Sequence, residues 1–288
     1  GSAYYYSRTV EGMQYPIRCR KAAMADGRFD EAAAEQVLLD QNEMAKGLAY
    51  LGIGDTQVSD DGRRYAFTTD ETGFRQYSLH VKDLDSGAVT GVLAERVTSV
   101  EWAADGETLF YVTEDATTKR SNQLWRRRLD GAPELLFEER DELFRIGVTR
   151  TKDHRFLLLG CFSTDTYEGR SLDAAQPAGD FAVMLPRQKG HRYTPTHRDG
   201  VFYLRTDRDA LDEANWREVV PHREGVYVTS FEVFRDFAVV QERVQGLNRF
   251  RVLTFADASW REIEFPEPVY AANPGGTPEY TSTTYRID

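Results

Sequence analysis

Between residues 58 and 137 the chain writes one pattern of apolar and polar positions twice. Residues 58–93 read VSDDGRRYAFTTD, then YSLHVKDLDSG, then AVTGVL; residues 100–137 read VEWAADGETLFYVTED, then NQLWRRRLDG, then PELLF. Each copy is a strand, a tight turn holding Asp, a strand with aromatics, a loop, a third strand, a turn and a fourth strand. Tyr65 and Phe67 alternate with Ala66 and Thr68, and Leu109 and Tyr111 with Phe110 and Val112, the two-residue period of a strand. Asp61-Gly62 and Asp105-Gly106 fall between strand runs, where both residue types tolerate the positive φ that a hairpin turn demands.

Weaker copies follow at Lys152-Asp153-His154 before FLLLGCF, Arg198-Asp199-Gly200 before VFYLRTD, and Arg235-Asp236 before FAVVQERV. From Asp61 through Asp105, Asp153 and Asp199 to Asp236 the turns recur every 37 to 48 residues. A four-stranded unit at that spacing cannot bury both its faces without neighbours. The pattern therefore predicts an all-β fold: a seven-bladed β-propeller of four-stranded antiparallel blades, here about six blades plus an incomplete seventh. The first blade is looser, with strands in residues 4–10 and 15–22 and a mixed strand and helical stretch over 31–47. Beyond Ile263 the residues Pro266, Pro268, Pro274, Gly275, Gly276 and Pro278 make an irregular connection. Residues 283–287 then begin another strand. Residues 1–3 read as a cloning remnant, which leaves a propeller domain over residues 4–288.

Composition narrows the class. The chain is 41% hydrophobic and 12% aromatic, enough for a core and biased toward strands. No run approaches the roughly 20 apolar residues of a membrane span, and the start lacks a basic then apolar leader, so no membrane partner is expected. Acidic residues outnumber basic ones 47 to 36, a net charge of −11. That argues against nucleic acid, which is bound through basic patches, and suits a solubilising surface or cationic partners. Cys19 and Cys161 lie in strand-like runs and read as buried free thiols of a cytoplasmic protein.

Candidate chemistry is sparse. Of the five histidines, His80 falls in a strand, His154 in a turn, and His191, His197 and His222 in loops or at strand ends; all read as structural. No metal-ligand spacing occurs, and Asp83-Leu84-Asp85-Ser86-Gly87 reads as a hairpin turn, lacking the twelfth-position Glu of a calcium loop. Gly52-Ile53-Gly54 carries Gln57 where a dinucleotide fingerprint needs its third Gly. Arg126-Arg127-Arg128 would alternate between the faces of a strand rather than form one phosphate patch, and so reads as a solvated strand. The acidic runs 55–61, 138–142 and 207–213 are surface solubility features that could also line a funnel for cationic peptides. No catalytic, cofactor-binding or metal-binding residue is assigned, no cofactor is expected, and no residue is singled out as a substrate gate.

Residues 4–22 (YYYSRTVEGMQYPIRCRKA), 36–67 (QVLLDQNEMAKGLAYLGIGDTQVSDDGRRYAF), 77–87 (YSLHVKDLDSG) and 265–268 (FPEP) resemble the propeller of the prolyl oligopeptidase family, and most of all its oligopeptidase B branch. The resemblance runs along almost the whole chain in order. It implies a cytosolic serine peptidase of two parts, in which an α/β-hydrolase domain carries a Ser-Asp-His triad and the propeller covers it. The propeller would admit only short peptides, and the oligopeptidase B branch cuts after Arg or Lys. No Gly-x-Ser-x-Gly nucleophile elbow occurs in these 288 residues. The chain alone is therefore expected to hydrolyse nothing, its partners being the hydrolase domain of the same parent and short basic peptides. Two other readings are a free-standing propeller scaffold for protein partners and a propeller glycosidase. The latter needs two carboxylates roughly 5–9.5 Å apart, a pair the sequence does not place.

Overall fold

A computed structural model of the chain describes residues 2–207, 216–266 and 271–288. These form two compact units: residues up to Thr149 with Ala174–Asp180, and Arg150–Asp173 with Phe181–Asp288. In the first, β1 (Ala3–Arg8), β2 (Ile17–Ala22) and β3 (Gln36–Asp40) make a three-stranded sheet. A one-turn helix α1 (Gln41–Met44) follows, capped by Asp40, whose carboxylate accepts from the N–H groups of Asn42 and Glu43. Then come β4 (Gly52–Val58), β5 (Arg64–Asp70) and β6 (Ser78–Asp83), and a four-stranded sheet of β7 (Val97–Trp102), β8 (Thr108–Glu114), β9 (Ser121–Arg128) and β10 (Glu134–Glu138).

Strand β11 (Arg145–Arg150) carries the chain into the second unit. There β12 (Phe156–Phe162), β13 (Tyr167–Asp173) and β14 (Ala182–Val183) run antiparallel, as do β15 (Tyr193–Arg198) and β16 (Val201–Thr206). The sheet of β17 (Val226–Val233), β18 (Phe237–Val244), β19 (Leu247–Thr254) and β20 (Ser259–Ile263) completes the set.

The tight turns form as their sequence requires. Gly62 and Gly106 take φ of 70° and 62° at the β4–β5 and β7–β8 turns, and between β15 and β16 both Asp199 (51°) and Gly200 (79°) lie in the left-handed region, closing a two-residue hairpin. The Asp carboxylates bind the turns from inside. Asp61 accepts from Ser59 Oγ at 2.5 Å and the Arg63 N–H at 3.0 Å, and Asp105 from the Glu107 and Thr108 N–H groups at 2.9 Å each.

Sheet stacking is visible in how the middle strands are buried. Strand β5 is buried on both faces: Tyr65 and Phe67 pack with Leu38, Leu39 and Leu84, while Ala66 packs with Leu79, Val100, Trp102, Leu109 and Tyr111. The alternation read in the sequence thus separates two cores rather than core from solvent. The second unit repeats this, with Val239 and Phe250 in one cluster and Ala238 and Leu253 in another. An antiparallel sheet covered on both faces is what a stack of blades produces.

Several details depart from the sequence reading. Six sheets are present, but among the described residues only three have four strands, and no seventh blade is defined. Residues 88–93 form no fourth strand beside β6, only the bridges Lys82↔Val89 and Leu79↔Ala94. The reason is local: the Thr90 hydroxyl, not a carbonyl, accepts the Val81 N–H at 3.0 Å and interrupts the ladder. Residues 283–287 make no strand either; they lie against 273–275 through one bridge, Pro274↔Ile287. Tyr285 and Ile287 instead pack onto the Phe234–Phe250 cluster. Ser2 and Ala3 take part in the first sheet, Ser2 accepting the Ala23 N–H at 3.0 Å and Ala3 pairing with Ala22.

Candidate functional site

The triad question turns on the histidines. His197, in β15, sets Nδ1 2.5 Å from an Asp153 carboxylate oxygen, both side chains being buried. Thr151 Oγ1 donates to the other oxygen at 2.6 Å. Burial alone would push the Asp153 carboxyl up; the Thr151 hydroxyl and His197 outweigh it and hold it below the usual carboxylate range. The imidazole is edged by Phe156 and Phe202 at 4.7 and 4.9 Å, and no hydroxyl or thiol among the described residues bonds its Nε2. An Asp-His pair without a nucleophile can orient a strand but cannot transfer an acyl group. His191 is buried with Nε2 2.9 Å from Thr206 Oγ1. His80 stacks on Phe67 and lies 3.2 Å from Thr69 Oγ1. His154 sits at φ 60° in its turn, and His222 is exposed in a loop.

Described members of the charged runs hold local structure. Asp55 accepts from the N–H groups of Thr56 and, across sheets, Val100, each at 2.9 Å. Glu138 accepts from Gln123 Nε2 at 3.1 Å and Glu139 from the Asp141 N–H at 3.0 Å. Of run 207–213 only Asp207, on the Arg192 N–H at 2.9 Å, lies within the described residues. The three arginines of β9 diverge, as strand geometry requires, but Arg126 and Arg127 are not merely solvated. Arg126 Nη1 caps the carbonyls of Pro177 and Gly179 at 2.7 and 3.0 Å, Arg127 Nη1 that of Leu93 at 2.7 Å, and Arg128 pairs with Asp130. Gly54 lies within β4, where a side chain would strike Thr68 and Tyr77. In the 83–87 turn Asp83 accepts from the Asp85 and Ser86 N–H groups at 3.1 and 2.7 Å. Among the described residues no group of His, Cys, Asp or Glu is placed to hold a metal ion. Cys19 and Cys161 are buried and form no disulfide; burial pushes the Cys19 thiol up, away from reactivity.

Two features carry no sequence signature. In the second unit Lys152 Nζ bonds Glu232, donates to the Thr277 carbonyl at 2.6 Å and sits 3.8 Å over the Phe234 ring. Burial holds this amine below its usual range against the opposing pull of Glu232. In the first unit an open recess of about 430 Å³ is lined by Arg96, Tyr111, Glu114, Trp125 and Glu138, among others. Glu114 there lies 3.8 Å from both Arg96 and Lys119. Its walls offer an aromatic face and carboxylates, a lining suited to contact but without a nucleophile and base.

Residues 1–288 match the family model described as prolyl oligopeptidase, N-terminal beta-propeller domain, and the chain belongs to that family. The dipeptidyl aminopeptidase BI of Pseudoxanthomonas mexicana is 34% identical, covering 99% of this chain and 45% of the relative. Protease 2 of Moraxella lacunata is 30% identical, covering 94% and 41%. Among solved structures, oligopeptidase B from Leishmania major superposes with a TM-score of 0.86 at 26% identity, over 100% of this chain and 44% of that one. Oligopeptidase B from Trypanosoma brucei, a closed form with covalently bound antipain, gives 0.84 at 26%, over 99% and 43%. The chain thus spans less than half the length of these relatives. No described helix is long and apolar enough to cross a membrane.

Proposed function

We propose that this chain is the gating and filtering propeller of an oligopeptidase B-like serine peptidase that cleaves short peptides after Arg or Lys in the cytoplasm. The propeller domain spans residues 4–288 and belongs to a seven-bladed ring. Bond breaking falls to a companion α/β-hydrolase domain of the same polypeptide, whose serine attacks the scissile carbonyl while a histidine takes its proton. The observation that carries this reading is the family match along all 288 residues in a chain without a Gly-x-Ser-x-Gly elbow. The net charge of −11 favours encounter with cationic peptides by electrostatic steering.

The 34% identity to a dipeptidyl aminopeptidase supports a second specificity for the same domain pair, removal of dipeptides from a free amino end. Two chromogenic substrates separate them, a blocked Arg-Arg amide and an unblocked dipeptide amide. Each is given to this chain and to the protein extended past both its ends. The first reading expects hydrolysis of the blocked substrate by the extended protein only. Cleavage of the unblocked substrate alone would move the parent to the aminopeptidase reading. Hydrolysis of either by the 288-residue chain would contradict both.

A further inference from the structure

The open recess of the first unit follows one row of residues across the sheet of β7 to β10. Val97 pairs with Thr113, Thr113 with Gln123 and Gln123 with Glu138, and Arg96 precedes Val97 at the β7 end. Three strand spacings separate the ends of this row, about 14 Å of backbone. Two residues along, Tyr111 pairs with Trp125, on the same face as Thr113 and Gln123. Trp125 Nε1 donates to Thr113 Oγ1 at 3.0 Å, which fixes the indole in the wall. Between Thr113 and Glu114 the register slips, so that Glu114 meets Ser121 and Asn122 faces no residue of β8. A bulge of this kind re-aims the side chains around it.

The walls hold polar groups that the fold leaves unused. Tyr111 is 2% exposed and Asn122 9%, and neither the Tyr111 hydroxyl nor the Asn122 side-chain amide bonds any described residue. Arg96 Nη1 is buried and likewise makes no hydrogen bond among the described residues. Arg96 itself is held at φ 58°, a strained conformation of the kind that gathers at ligand clamps. The Glu114 side chain, 12% exposed, lies 3.8 Å from Arg96 and from Lys119, beyond hydrogen-bond reach. Asp115, by contrast, is committed to its own turn, accepting from the Thr117 and Thr118 N–H groups at 2.9 and 2.7 Å. Glu138 gives one oxygen to Gln123 Nε2 at 3.1 Å, and its other lies 3.4 Å from the outlying Arg140. Buried polar groups are almost always bonded, so their convergence on one recess points to a ligand. Glu95, Glu114, Asp115 and Glu138 line it against the single cation Arg96, a balance that favours positive charge.

We propose that this recess binds one basic amino acid with its carboxylate, either free or as the last residue of a peptide. The carboxylate takes Arg96 Nη1, the aliphatic stem lies along the Trp125 ring, and the side-chain cation reaches Glu138. In the free amino acid the α-ammonium falls to Glu114. The Tyr111 hydroxyl and the Asn122 amide supply the neutral hydrogen bonds. The volume of about 430 Å³ suits a single small ligand. A neutral ligand is the poorer occupant, because it would leave the Glu114 and Arg96 charges without an ionic partner. The inference stands on the recess and not on the peptidase reading, although peptides ending in Arg or Lys are what that reading would release.

The test is titration calorimetry on the protein extended past both ends of this chain, treated beforehand with a fluorophosphonate to silence any peptidase site. The titrants are arginine, acetyl-arginine, agmatine, which lacks the carboxylate, and citrulline, which lacks the side-chain charge. Arginine or acetyl-arginine should bind, with agmatine and citrulline at least about tenfold weaker, the loss expected for one charged hydrogen bond. The tighter of the first two names the source: arginine a free amino acid, acetyl-arginine a peptide end. Glu138→Gln and Arg96→Gln, each checked for an unchanged unfolding midpoint, should also weaken binding by at least about tenfold. Binding of neither ligand, citrulline equal to arginine, or an affinity that both variants leave intact overturns the inference, the last by placing the ligand elsewhere. Peptide hydrolysis by the untreated protein decides the proposed function separately, since none of these titrations needs an active serine.

Discussion

Gly54 has no room for a side chain: a Cβ there would lie 2.6 Å from Thr68 Oγ1 and 2.8 Å from the Tyr77 ring. Gly54→Ala should destabilise the chain by about 1–3 kcal/mol, the usual cost of overpacking, seen as a lower urea midpoint at unchanged slope. Lys152 presents the opposite problem, a buried charge that needs its partner. Lys152→Met strands Glu232 and should cost about 3 kcal/mol, while Lys152→Met with Glu232→Gln should recover part of that loss; additive losses would mean the pair is not coupled. Asp70 sets an acid limit. Burial alone would raise its carboxyl, but the hydroxyl and N–H groups of Thr72, Arg75 and Gly73 win and hold it below the usual range. A carboxyl depressed in the fold contributes stability that is present above its unfolded value, near 3.9, and lost as pH falls through the folded one. Thermal stability should therefore fall below about pH 4, and Asp70→Asn should lower it at neutral pH while flattening that acid limb.

At the scale of elements, what was legible in the sequence was local. Asp61-Gly62, Asp105-Gly106 and Asp199-Gly200 announce their hairpins because the turn's φ demand is met by the turn residues themselves. Gln245-Gly246, with φ of 51° and 87° between β18 and β19, closes a hairpin just as tight, yet Gln is not a residue the turn chemistry selects. Gly246→Ala should cost about 1–2 kcal/mol, the penalty for a Cβ in the left-handed region, measured by chemical unfolding. Where the reading failed, the cause was tertiary. Residues 88–93 alternate well enough for a strand, but one Thr90 hydroxyl bond displaces a ladder bond. The chain after Pro274 has strand-forming residues, and its Tyr285 and Ile287 are drawn into a core cluster. The buried Lys152–Glu232 pair joins side chains whose proximity no period encodes.

For the whole molecule, the repeat was legible and its site was not. A propeller writes its architecture into every blade, so five Asp-bearing turns suffice to suggest the stack seen around β5. His80, His191 and His197 have structural partners, and these 288 residues hold no Gly-x-Ser-x-Gly elbow. The central claim, a non-catalytic propeller working on a separate hydrolase domain, is tested most directly with a fluorophosphonate serine probe applied to this chain and to the extended parent. The account predicts covalent labelling of one serine in the parent, outside residues 1–288, and none in the chain alone. A labelled serine within these 288 residues would contradict it.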